Sequence, residues 1–283
     1  MANSSFGWIP DLPDFRDYTS GTDKIKSILG TKRARFDIPE SVDLRLWCSP
    51  VEDQGRLGSC TANAGVGLVE YYERKCFGKH IDASRLFLYK VTRNLMKAKG
   101  DTGAFLRTTM AALVLFGVPP EEYWPYTDDE KGFDLEPPAF CYAFASNYQT
   151  ISYFRHDGKG VRLPEILQSV KSFLAQGHPS IFGFTVYSSI EQAEKDGRIP
   201  FPSEGEKVLG GHAVMAVGYD DRMEIKNRYG VKTEGALLIR NSWGKNWGEE
   251  GYGWLPYEYV LQELAMDFWS ILKKEWIDIG IFG

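Results

Sequence analysis

The hydrophobic pattern of this chain changes period about halfway along. In "TANAGVGLVEYYERK", directly after Cys60, Ala62, Val66, Leu68, Val69 and Tyr72 put apolar groups on most faces of a helix. A helix that is apolar all round is a buried one. Gly65 and Gly67 cost it up to about 1 kcal/mol each in propensity, which predicts close packing there against another element. Helical spacing recurs over Ser84–Ala98, Ala104–Gly117 and Leu163–Gly177, the last with Pro164 in its first turn and Gly177 as its stop. Beyond it the period drops to that of strands. Pro179–Tyr187, His212–Asp220, Gly235–Gly244 and Glu250–Tyr257 are short, rich in β-branched and aromatic residues, and separated by turn residues. Helices first and strands later predict an α+β fold with segregated lobes. The pattern after Tyr257 fits helix and strand equally.

Residues 1–37 differ from the rest. They carry many Asp, Pro, Lys and Arg, with aromatics at Phe6, Trp8, Phe15 and Tyr18. Such a segment cannot build its own core, but its aromatics can dock on another surface. The folded body is expected to begin at "DIPESVDLR", giving an N-terminal segment of 1–37 and a main domain of 38–283. The longest basic cluster, Lys32–Arg35, reads as an exposed linker, and the surrounding Thr31–Asp37 as a place for processing.

Composition narrows the function. The chain has 283 residues and a net charge of −5, with 43% hydrophobic and 25% charged residues. This is an ordinary globular balance with no basic stripe, so neither nucleic acid nor a membrane surface is an expected partner. No run approaches the ~20 apolar residues of a membrane span. The first residues lack the basic and apolar regions of a secretion signal, which points to a cytoplasmic or non-classically exported protein. The four cysteines, Cys48, Cys60, Cys76 and Cys141, include no C-x-x-C pair. No structural metal is expected, and free thiols are.

Cys60 is where chemistry is concentrated. A cysteine at a helix N-terminus faces unpaired N–H groups and the positive end of the dipole, both of which favour the nucleophilic thiolate. In "QGRLGSC", Gly55 and Gly58 permit a sharp turn and a close ligand approach. Gln54 supplies a side-chain N–H that can join the N–H of Cys60 in an oxyanion hole. A nucleophile also needs a base and a group to orient it. "GGHAVMAVGYD" offers His212 at the opening of an apolar strand, and "RNSWGKNWGEEGYGW" offers Asn241 at the end of another. The Asn241 amide oxygen can hold the imidazole, and Trp243 can shield that bond.

These three stretches, in this order, resemble the motifs Q-G-x-C-G-S-C-W, H-A-V-x-x-V-G-Y and N-S-W-G-x-x-W-G-x-x-G-Y of the papain-like cysteine peptidases. "IPESVDLR" is similar to the start of the mature enzyme in that family. The similarity spans about Ile38 to Tyr257. The resemblance implies a two-lobed fold, with a helical left lobe, an antiparallel β-barrel-like right lobe and the cleft between them. It implies peptide-bond hydrolysis with Cys60 as nucleophile, His212 as base and then acid, Asn241 as orienter and Gln54 as oxyanion donor. No metal or cofactor enters. By resemblance Gly58, Thr102, Gly103, Gly183, Ala213, Trp243 and Trp247 contact substrate. Thr102 stands where the family has the first glycine of a pair, and Gly183 and Ala213 line the pocket for the second residue before the cleaved bond.

The chain also departs from the family pattern. Leu57 replaces a cysteine, so one family disulfide cannot form, and Thr61 replaces a tryptophan. The charged insertion "DDRMEIKNRYGVKTEG" implies a longer hairpin between His212 and Asn241. The N-terminal segment is shorter than the family's helical propeptides. It is nevertheless expected to cross the cleft in the direction opposite to substrate and to act as an inhibitor in cis. Two other uses of the same fold remain open from sequence: acyl transfer to an amine, and binding without catalysis.

Overall fold

The computed structural model describes residues 6–29, 38–146 and 152–272. Seven helices and seven strands form along these residues: α1 (Asp23–Leu29), β1 (Ser41–Asp43), α2 (Cys60–Phe77), α3 (Arg85–Leu95), α4 (Leu106–Phe116), α5 (Ala139–Ala145), β2 (Ser152–Arg155), α6 (Leu163–Ala175), β3 (Ser180–Tyr187), β4 (Val208–Lys226), β5 (Lys232–Arg240), β6 (Tyr252–Pro256), α7 (Glu258–Leu261) and β7 (Ala265–Leu272). The strands pair in the order β2-β7-β3-β4-β5-β6, with β1 added to β4. All of these ladders are antiparallel. The sheet is not closed, so "barrel-like" describes it only loosely.

Alternation along β4 and β5 divides the core. Met215, Val217 and Leu238 join the helical cluster around α2, α3 and α4, while Val214, Ala216, Leu237 and Ile239 join a second cluster with α6 and α7. A two-residue period thus buries both faces of the sheet. α2 lies on one face. Its glycines are where neighbours come closest: a Cβ on Gly65 would sit 3.1 Å from Leu88, and one on Gly67 would sit 2.5 Å from Nη1 of Arg240. α3 begins at Ser84, whose hydroxyl accepts from the N–H of Phe87, and α4 ends at Gly117 with φ 72°.

Three features of the strands and tail correct, bear out or complete the sequence pattern. β4 starts at Val208, so His212 sits inside the strand and not at its opening. The charged insertion extends the β4–β5 hairpin, pairing Glu224 with Glu234 and Lys226 with Lys232. As far as Leu272, the last described residue, the ambiguous tail resolves into α7 and β7. The expected processing stretch Thr31–Asp37 lies outside the described residues.

A buried polar network joins the two parts. Arg240 of β5 donates to Ser49 Oγ (3.1 Å) and to the Pro50 carbonyl (2.7 Å), and Ser49 donates to Glu70 of α2 (2.5 Å). Burial pushes the Glu70 carboxyl up to about 7, against the pull of Arg240. Removing one member of a buried charge network leaves the other uncompensated. Arg240→Met is therefore expected to destabilise the fold by about 3–5 kcal/mol. Urea unfolding measures this; a loss below about 1 kcal/mol would show that the network does not hold the two parts together.

Candidate active site

Cys60 is the first residue of α2 and is fully buried. The loop before it is fixed at several points. Gly55 takes φ +57°, and its N–H donates to Asp53 (2.8 Å). Gln54 is clamped at both ends: its backbone N–H donates to the Ser242 carbonyl (2.9 Å), and its Oε1 accepts from Ser242 Oγ (2.6 Å). Its Nε2 donates to the Leu57 carbonyl (2.8 Å). The Gly58 N–H donates to Asp101 (3.0 Å), which also accepts from the Tyr89 hydroxyl (2.5 Å). That hydroxyl accepts from the Gly103 N–H (3.0 Å). The Tyr89–Asp101 pair ties the cysteine loop to the Thr102–Gly103 loop, and no sequence motif signalled it.

His212 and Asn241 come together across β4 and the end of β5. Asn241 Oδ1 accepts from the Ser242 N–H (2.8 Å) and from His212 Nε2 (2.7 Å). With its proton on Nε2, the imidazole keeps a lone pair on Nδ1, which is buried and has no hydrogen-bond partner among the described residues. Trp243 stacks on the ring at 4.5 Å and 27°, and Trp247 stands perpendicular to Trp243 at 5.3 Å. The backbone N–H groups of Ala213, next to His212, and of Gly7, Thr61 and Cys60 itself favour the charged form of the Cys60 sulfur. Burial outweighs these donors and pushes the thiol up to about 11. Burial likewise takes the His212 imidazole down to about 4, against the opposing pull of its bond to Asn241.

The N-terminal segment packs directly over this site. Phe6 lies edge-on to His212 (6.2 Å) and to Trp243 (6.1 Å). Gly7 sits over the cysteine loop so closely that a Cβ on it would lie 1.8 Å from the Gly58 carbonyl oxygen. The Gly7 carbonyl accepts from the Ala104 N–H (2.7 Å), the Ile9 N–H donates to the Ala104 carbonyl (3.1 Å), and the Trp8 N–H donates to the Gly211 carbonyl (3.0 Å). Trp8 and Ala104 pair in parallel. The indole of Trp8 fills a pocket against Gly183 and Gly211, where a Cβ would strike its ring at 1.9 and 2.8 Å. Its Nε1 donates to Asp267 (3.2 Å), a buried residue at φ 68° that also accepts from Trp269 Nε1 (2.7 Å). Asp267 was missed from sequence because it lies in the ambiguous tail. Only some of the segment's aromatics are covered: Trp8 is buried, whereas Phe15 is 91% exposed.

Cys48, Cys60 and Cys141 are free thiols. One group of side chains, Glu70, His80 and Asp82, brings metal-ligating atoms within 4.8 Å of one another. Those atoms are engaged otherwise: Glu70 accepts from Ser49 and from the Ala83 N–H, and His80 pairs with Asp82 at 2.9 Å. Among the described residues no helix is long and apolar enough to cross a membrane.

Comparison with known proteins agrees with this geometry. The chain is 34% identical over 282 residues to an uncharacterized peptidase C1-like protein of Acanthamoeba polyphaga mimivirus, covering 94% of this chain and 86% of the other. It is 30% identical to cathepsin B-like CP3 of Giardia intestinalis, over 76% of this chain and 68% of that one. The crystal structure of xylellain, a cysteine protease from Xylella fastidiosa, superposes with a TM-score of 0.75 at 36% identity, over 96% of this chain and 97% of that one. The profile of the papain family cysteine proteases matches residues 38–263. The chain therefore belongs to the papain family of cysteine proteases.

Proposed function

We propose that this chain hydrolyses peptide bonds with Cys60 as nucleophile, His212 as general base and then acid, Asn241 as the group that orients the imidazole, and Gln54 as an oxyanion donor. The observation that carries this reading is the bond from His212 Nε2 to Asn241. It assigns the proton to one nitrogen and leaves Nδ1 to accept the Cys60 proton. The thiolate, favoured by the start of α2, then attacks the carbonyl carbon of a substrate. Negative charge gathers on the carbonyl oxygen, where the side-chain amide of Gln54 and the N–H of Cys60 receive it. His212 gives its proton to the leaving amine. Water, deprotonated by the same nitrogen, cleaves the thioester.

In the same reading residues 1–37 are a propeptide-like segment and 38–283 the peptidase domain. Residues 6–9 lie across the cleft and keep it closed. Phe6 is on the Trp243 side, Gly7 at the sulfur and Trp8 in the pocket beyond it. The parallel pairing of Trp8 with Ala104 supports a path opposite to that of a substrate, which keeps the segment's own bonds out of register with the nucleophile. Gly58, Thr102, Gly103, Gly183 and Ala213 would border the non-primed path of the substrate, and Trp243 and Trp247 the leaving-group side.

Cys60→Ala should abolish hydrolysis of a fluorogenic peptide while leaving the unfolding midpoint in place. Gln54→Ala should lower kcat by about 10²–10³-fold, and Asn241→Ala should cost less than His212→Ala. Wild-type turnover by Cys60→Ala, or a reversed order of the last two, would refute the assignment of roles.

The segment is tested by pH-dependent alkylation. With the thiol near 11 in the full chain, the thiolate fraction rises about tenfold per pH unit from pH 6 to 9, and iodoacetamide labelling of Cys60 should climb with it. A chain starting at Ile38 should label fast and almost independently of pH over that range, hydrolyse the peptide faster, and be inhibited by added 1–37 peptide. Matching profiles for the two chains would mean that the segment does not close the site.

A further inference from the structure

Beyond Trp8 the N-terminal segment meets a second site, centred on Arg107 in the first turn of α4. Asp17 binds its guanidinium bidentately, Nε to Oδ1 and Nη2 to Oδ2, both at 2.8 Å. Asp11 takes Nη1, and the Leu12 carbonyl accepts from Nη2 at 2.7 Å. Burial works against the charge of Arg107, but these two carboxylates hold its pKa above the usual value. All of these partners belong to the segment. Among the described residues the main domain offers Arg107 no carboxylate, only the face of Trp269 at 5.8 Å.

The contrast with Arg155 is informative. That side chain shares the Trp269 ring, at 5.2 Å. It carries its own partners from the main domain, Asp157 in a bidentate pair at 3.0 Å and Asp267 at 3.4 Å. When the segment leaves, Arg155 stays neutralised and Arg107 does not. A planar guanidinium beside an aromatic ring, with no carboxylate of its own domain among the described residues, is well suited to bind carboxylates in two-point geometry.

We propose that Arg107 is a carboxylate-binding subsite for substrate, one that the segment occupies in cis with Asp11 and Asp17. The proposal rests on the reading that the segment lies along the substrate path. From Trp8 in its pocket the segment runs through Ile9 and Pro10 to Asp11. A substrate running the other way would pass the same place with the residues that precede its pocket residue. The ligand class is therefore a peptide with an Asp or Glu a few residues before the side chain that fills the Trp8 pocket.

The test uses the full chain carrying Trp8→Ala, Asp11→Asn and Asp17→Asn, which empties the pocket and removes both acids from Arg107. Matched fluorogenic peptides carry Asp or Asn at the second, third or fourth position before the pocket residue. At low salt the best Asp peptide should exceed its Asn counterpart about 5–10-fold in kcat/KM, and high salt should narrow the gap. Adding Arg107→Gln should bring the ratio to about one, whereas Arg107→Lys should keep part of it. Equal rates for Asp and Asn peptides at all three positions, or a preference that survives Arg107→Gln, would overturn the subsite. The blocked-cleft reading is judged separately, by whether the triple variant outpaces wild type on either peptide. Because the Asp-to-Asn ratio is taken within one chain, the two failures are distinguishable.

Discussion

The close approach of α2 to the sheet at Gly67 underlies the geometry of the site. Only a residue without a side chain leaves room for the Arg240 guanidinium beneath the helix, where a Cβ would sit 2.5 Å from Nη1. Arg240 is then anchored to Ser49 and Pro50, and the next residue along the chain is Asn241. The contact that seats the helix thus also fixes the strand end that holds His212. Because Cys60 opens the same helix, the proposed nucleophile and base are positioned by one packed seam and not by two independent loops. Interiors packed to crystal-like density transmit such constraints well.

Much of this was legible in the sequence because it is local. The helices α2, α3, α4 and α6 and the strands β3, β5 and β6 follow from hydrophobic period and from Gly and Pro at their ends. The family membership follows from three motifs in order. What escaped was set by partners distant in sequence. β4 extends past His212 because β3 pairs with it as far as Val208, which no pattern in "VLGGHAV" reveals. Asp267 lies in a stretch whose apolar period is ambiguous, and it gains meaning only beside Trp8 and Arg155. Tyr89 reads as an ordinary helix residue until Asp101 and Gly103 arrive at its hydroxyl. Phe15 was grouped with Trp8 because both are aromatic, yet composition cannot say which ring meets a pocket and which meets water.

The cleft is lined by absences as much as by side chains. Gly58, Gly103, Gly183 and Gly211 all face the segment, and at each a Cβ would crowd Phe6, Gly7 or Trp8. Gly7 answers them from the other side. Backbone thereby meets backbone at the sulfur, with the Phe6 ring against His212 on one side and the Trp8 indole on the other, in a slot against Gly183 and Gly211 where Asp267 accepts from its Nε1.

The burial of Cys60 has a consequence for the lifetime of the protein. Oxidation of cysteine begins at an exposed thiolate, and its later steps are irreversible. A sulfur that is fully covered and has a pKa near 11 offers oxidants neither access nor charge. While Phe6, Gly7 and Trp8 remain in place, the sulfur on which the proposed chemistry depends is shielded from oxidants as well as from substrate.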